Sequence, residues 1–98
     1  MNVVQKVEGS CELSVDGELT IYRATELHEL LKEKQDQYQT VNLDMENVSE
    51  IDTACFQVLL HHKLSGLDKN RNLSVINASQ PVLDFFKTFG VSGIFINH

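Results

Sequence analysis

Apolar residues recur along this chain at two intervals, every second position in some segments and every third or fourth in others. The first is the repeat of a half-buried strand, the second that of a helix packed on one side. Val3 to Val7 suits a first edge strand, and Cys11-Glu12-Leu13-Ser14-Val15 alternates apolar with polar. Asp16-Gly17 is expected to end that strand. A D-G pair between apolar residues is also a hairpin signal, with Leu19 to Tyr22 as the return strand, but the spacing that follows favours a loop leading into a helix. That helix reads from Ala24 through Leu27, His28 and Leu31. Leu30 widens the stripe, and Glu26, Glu29, Lys32 and Glu33 take the outer face. It is expected to fade across Gln35 to Gln39.

Val41-Asn42-Leu43-Asp44-Met45 reads as the next strand, Glu46 to Glu50 as a polar loop, and Ile51 as the return to the core. Asp52 or Thr53 can cap a second helix, whose apolar stripe is expected to be Phe56, Leu59, Leu60, Leu64 and Leu67. Asp68 to Asn72 is a polar turn, and Leu73 to Ile76 a short strand. Ser79 suits the N-cap of a third helix, with Pro81 in its first turn, where a missing N–H is harmless. Val82, Phe85, Phe86 and Phe89 follow at helical spacing, as core or a flanking layer, and Gly90 is placed to end the helix. Ile94-Phe95-Ile96 is expected as a last short strand or as packed coil. The order is roughly ββαβαβα, one α/β domain over residues 1–98 with right-handed crossovers between parallel strands.

Composition narrows the function. The chain has 98 residues, 42% apolar and 22% charged, as soluble globular domains are. No apolar run approaches the roughly 20 residues of a membrane span, and Met1 to Ser10 lacks the pattern of a secretory signal. The expectation is a cytoplasmic protein without membrane insertion. The net charge of −6 argues against a nucleic-acid partner, which needs a concentrated basic surface. Lys63, Lys69 and Arg71 form the one basic cluster and read as a solvated face.

Few residues suggest chemistry. Cys11 and Cys55 are far apart and read as reduced thiols in or near the core. Cys55 lies near a helix start, where its pKa could fall. No phosphate-cradling glycine loop, zinc spacing or nucleophile elbow occurs. Neighbours on a helix point about 100° apart, so His61-His62 reads as a half-exposed face rather than a metal site. No cofactor, metal or catalytic residue is expected, and the chain does not read as an enzyme.

One segment stands out: the run from Val41 to Leu60, in which a strand ends in Asp44, a loop returns through Ile51 to Asp52-Thr53, and an amphipathic helix follows at once. It resembles the signature of STAS domains, the family of bacterial anti-sigma factor antagonists: a strand, a hydrophobic residue, D-S/T-S/T/A-G-L, then an aliphatic helix. Gly17 to Tyr22 resembles the family's G-E-L/I-D stretch. Asn72 to Ser79 with Val82-Leu83 resembles its later strand and helix, and Phe89-Gly90-Val91 its closing step. The match covers nearly the whole chain. Cys55 stands where the family usually has Gly, Phe56 replaces a smaller aliphatic residue, and Ala54 removes a second hydroxyl. A Cys55 at a contact surface would alter docking.

The resemblance implies a STAS-like fold, a mixed sheet of four to five strands with helices mainly on one face. It implies a partner switch in which a cognate kinase phosphorylates the hydroxyl residue after the Asp. That residue is Thr53, flanked by Glu50, Asp52 and Ala54 as the partner-binding group. The implied partner is an anti-sigma factor acting as a serine kinase, or a chemotaxis-type kinase. The chain is also similar to the small STAS subunit of bacterial phospholipid-transport complexes, through Asp52-Thr53 and Leu59-Leu60-His61, which implies an ABC ATPase as the alternative partner. Open sheet edges leave room for weak homodimers.

The physics of the position agrees. A helix N-terminus favours an anion through its free N–H groups and dipole, and a phosphate brings about −1.5 to −2 charges. Asp44, Glu46, Glu50 and Asp52 are near in sequence, so phosphorylation would deepen an acidic patch. The plainer reading of Thr53 is an N-cap worth about 0.5–2 kcal/mol.

Overall fold

The computed structural model describes residues 1–95, and for residues 5–7 only the backbone. Eight elements follow one another: β1 (Asn2–Val7), β2 (Ser10–Leu19), α1 (Ile21–Gln37), β3 (Thr40–Ile51), α2 (Thr53–Leu67), β4 (Asn72–Ile76), α3 (Gln80–Thr88) and α4 (Ser92–Phe95). The strands form one sheet in the order β1-β2-β3-β4. β1 runs antiparallel to β2, while β2–β3 and β3–β4 are parallel. Parallel neighbours need crossovers, here α1 and α2, which pack against each other. This is the mixed α/β architecture the sequence implies.

Alternation sets the core. Cys11, Leu13 and Val15 of β2 and Val41, Leu43 and Met45 of β3 are buried, and the residues between them are half-exposed. Leu27 and Leu31 of α1 close over them. At the other end of the helical layer, the ring of Phe56 lies 5.3 to 6.3 Å from those of Phe85, Phe86, Phe89 and Phe95. Gly90, at φ 68°, ends α3. Val91 N then donates to Phe86 O at 3.0 Å and Gly90 N to Lys87 O at 3.2 Å, the paired bonds of a Schellman cap.

Four local readings are corrected. β2 does not stop at Asp16-Gly17: the pairing with β3 continues through Asp16↔Asn47, Gly17↔Val48 and Leu19↔Ile51. Register shifts flank Gly17, whose φ of 74° makes it the pivot of a bulge rather than a chain end. β3 likewise runs through Glu46 to Glu50, the expected loop. The register shifts break its period-two pattern, so Val48 and Ile51 are buried three residues apart. The C-terminal segment around Ile94-Phe95 is the short helix α4, neither strand nor coil, with the Phe95 ring stacked 5.1 Å from Phe86; Ile96 lies outside the described residues.

The fourth correction concerns α2. Its buried face is Cys55, Phe56, Leu59, His62 and Gly66, while Leu64 and Leu67 are 53% and 62% exposed. The sheet-facing stripe is turned because a histidine can be buried here. Gln35 Nε2 donates to the His62 carbonyl at 3.3 Å, so the Gln35 oxygen faces the ring. His62 Nδ1–H then donates to Gln35 Oε1 at 2.9 Å, leaving Nε2 to accept from His28 Nδ1–H at 2.9 Å.

Burial, with His28 and His61 alongside, pushes the His62 pKa down to about 4 from 6.5. An unfolded chain therefore binds the proton more readily than the folded one. Stability from this group is present above about pH 6.5 and is lost as pH falls toward about 4. Thermal melts between pH 4 and 7 are expected to show this decline, and His62→Gln to flatten it. An unchanged slope in the variant would contradict the assignment.

Candidate functional site

The mouths of α1 and α2 lie side by side at the ends of β2 and β3, and one side chain joins them. Asp52 Oδ1 accepts from Cys55 N at 3.0 Å, capping α2. Its Oδ2 accepts from Ile21 N at 2.7 Å, satisfying the first amide of α1 from 31 residues away. Asp52 N donates to Leu19 O at 3.0 Å, tying the cap to the strand before α1. Thr20, the residue preceding α1, makes no side-chain cap bond. The helix consequently begins at Ile21 rather than at the Ala24 expected from periodicity. Asp52, not Thr53, is the cap of α2.

That arrangement frees Thr53. It is the first residue of α2 and its side chain is exposed, as is Glu50, while Ala54 is half-buried. The first amides of a helix have no carbonyl within the helix to reach, so those of Thr53 and Ala54 stay available to solvent or an anion. Of the four expected contact residues, Asp52 differs from the rest: both its oxygens already hold backbone amides.

The patch is acidic and apolar together. Glu50 pairs in register with Glu18, and both are exposed. Arg23 is held by the backbone oxygens of Asp16 and Glu18 and by the Asp16 carboxylate. Ile21 and Tyr22 stand 64% and 94% exposed beside the Asp52 cap. Sequence reading missed this pair. The signal was present, since Tyr22 is in helical phase with Glu26, Glu29 and Glu33, the outward face of α1.

Asp44 is elsewhere. It sits roughly 20 Å back along β3, at about 3.3 Å per residue, where its oxygens accept from Glu46 N at 3.0 Å and Asn77 Nδ2 at 3.2 Å. It fastens the β4–α3 loop and adds nothing to the charge around Thr53.

Cys55 is fully buried beneath the site, not at a contact surface. Its thiol donates to Thr20 O at 3.2 Å. Burial, and secondarily the Asp52 carboxylate, push its pKa up to about 11, opposite to the expected lowering. A protonated, enclosed thiol is no nucleophile at neutral pH. Among the described residues, no group of three or more His, Cys, Asp or Glu is placed to hold a metal ion, and no helix is long and apolar enough to cross a membrane.

Comparison with known proteins bears on the family and the fold. The family model described as "Mlab, STAS domain" matches residues 2–96. No curated protein matches the sequence. Among solved structures, the anti-sigma factor antagonist SpoIIAA in its unphosphorylated form superposes with a TM-score of 0.82 at 14% identity, over 99% of this chain and 86% of that one. An anti-sigma factor antagonist from Mycobacterium paratuberculosis gives 0.79 at 18% identity, over 96% and 81%. The phosphorylated form of the Bacillus cell fate determinant SpoIIAA gives 0.76 at 13% identity, over 99% and 89%. At these identities the likeness is one of fold.

Removing the shared cap should be costly at both helices. Asp52→Ala is expected to destabilise the fold by about 2–4 kcal/mol, two charge-assisted caps lost together, read as a drop in denaturant midpoint. A loss near zero would contradict the double-cap role.

Proposed function

The chain belongs to the STAS domain family, and on that premise we propose that it is a partner-switching regulatory domain, one unit over residues 1–98, whose binding is gated by phosphorylation of Thr53. The partner is a protein, an anti-sigma factor or chemotaxis-type kinase. Glu50, Thr53 and Ala54 meet it directly, and Asp52 holds their surface in shape. The observation that carries this reading is the exposure of the Thr53 hydroxyl at the first position of α2, beside uncovered Ile21 and Tyr22.

The energetics fit a switch. Docking of Tyr22 and Ile21 removes apolar area from water, worth roughly 25 cal/mol per Å². A phosphate between them and Glu50 adds a hydrated dianion to that contact, next to Glu18 and Asp52. The helix N-terminus offsets the same charge within the fold. Binding therefore responds to phosphorylation more than folding does.

The same apolar pair also suits a permanent grip, which favours a second reading: a constitutive subunit clasping an ABC ATPase through the α2 mouth. The two differ in phosphate dependence. Affinity capture with the chain as bait, followed by mass spectrometry, is expected to recover a kinase and phosphorylated Thr53. Thr53→Glu is expected to weaken that complex at least tenfold, about 1.4 kcal/mol, with Thr53→Ala binding like the native chain. Recovery of an ATPase with Thr53 unmodified, and equal binding by Thr53→Glu, would overturn the switch.

A further inference from the structure

A second feature lies away from Thr53, between the C-terminal halves of α1 and α2. A cavity of about 590 Å³ opens there, within the roughly 300–1,000 Å³ of small-molecule sites. Its walls include His28 and Lys32 of α1, His61 and His62 of α2, and Lys69 and Arg71 just beyond. The chain has 8 Lys and Arg against 14 Asp and Glu, yet three of those cations line this cavity and Asp36 is its one acid. A chain of net charge −6 has thus gathered positive charge in one recess.

The grouping differs from the basic cluster expected from sequence. Lys63 is turned away, its ammonium held by Leu73 O at 2.7 Å and Asn72 Oδ1 at 3.1 Å. Lys32 takes its place from the other helix. The ion pairs among the described residues are Arg23–Asp16 and Lys34–Glu33, so Lys32, Lys69 and Arg71 face the cavity without a carboxylate in ion-pair reach. Asp36, on the same wall, neutralises none of them directly.

The backbone is arranged to bring Arg71 there. Gly66 O accepts from both Lys69 N at 3.1 Å and Arg71 N at 2.7 Å, folding the chain back against the helix and satisfying a carbonyl at its end. A side chain at Gly66 would meet Arg71 O at 3.0 Å, tighter than an ordinary contact, so glycine lets the two segments approach without a shift. The hydrogen-bonded run from Gln35 through His62 to His28 fixes the imidazoles. It uses His28 Nδ1 and leaves His28 Nε2, with both ring nitrogens of the exposed His61, without a partner among the described residues.

From this placement we propose that the recess between α1 and α2 binds a small soluble multivalent anion, a phosphate ester or diphosphate. Lys32, Lys69 and Arg71 meet the anionic oxygens, and His28 and His61 supply directional hydrogen bonds. Arg offers a planar fork suited to phosphate and Lys a point charge. The volume leaves room for an organic group beyond the phosphate. This site is independent of Thr53: α2 rises about 1.5 Å per residue, which puts His61 roughly 12 Å along the helix from its mouth.

The test is an amide chemical-shift titration of the whole chain with inorganic pyrophosphate at pH 7 and physiological salt. Saturable shifts are expected at His28, His61, Gly66 and Arg71, with Thr53 unmoved. Arg71→Ala and Lys32→Ala, both of which keep the backbone contacts, are each expected to raise the dissociation constant at least tenfold. Lys87→Ala, on α3, is expected to leave it unchanged. Shifts spread equally over Lys34 and Lys87, no saturation, or native titration by both cavity variants would overturn the proposal. So would Arg71-dependent co-sedimentation with phosphatidylglycerol vesicles in the absence of a pyrophosphate response.

Discussion

The carboxylate of Asp52 is the point on which the upper end of this molecule depends. One oxygen holds the third amide of α2, and the other the first amide of α1. Two helix starts that would each need a cap of their own share one. Because Asp52 N also bonds Leu19 O, the ends of β2 and β3 are drawn into the same knot. The placement of Tyr22, Glu50 and Thr53 around one end of the molecule follows from this bond set. A residue that appears from sequence to be a contact instead holds the backbone on which its neighbours stand.

Much of this was legible beforehand where the signals are local. The Asp-Thr step before an amphipathic run marks α2, and Ser79 with Pro81 marks α3. What was not legible depends on partners distant in sequence. The start of α1 is set by a cap 31 residues away. The full lengths of β2 and β3 depend on bulges that break the alternating pattern near Gly17 and Val48. The face of α2 is turned toward His62 because Gln35 and His28 satisfy its ring, a fact no helical wheel contains. Asp44 appeared close to Thr53 because Glu46 to Glu50 looked like a loop; in an extended strand those residues carry it away.

The molecule divides by charge and position. The mouths of α1 and α2 are acidic with uncovered apolar side chains, while the far halves of the same helices enclose a basic recess. Between them lies a buried layer that includes Cys55 and Leu59, fully shielded from water. Charge added at Thr53 is thus set against Glu18, Glu50 and Asp52, and reaches Lys69 or Arg71 only weakly, because α2 spans roughly 21 Å at about 1.5 Å per residue, more than twice the Debye length of about 8 Å. The departures of this chain from the common STAS signature also fall into place. Cys55 and Phe56 are interior residues, the first bonded to Thr20 O and the second the centre of an aromatic cluster. They alter packing beneath the surface and leave the surface itself open.

The central claim is that negative charge on the Thr53 hydroxyl changes what the α2 mouth recognises while leaving the Asp52 knot intact. The most direct measurement is the amide spectrum and melting temperature of the chain carrying phosphothreonine at position 53. The account predicts shifts confined to residues 18–22 and 50–57, a protected Ile21 amide, and a melting temperature within a few degrees of the unmodified chain. Loss of Ile21 protection, or unravelling of the first turn of α2, would contradict it.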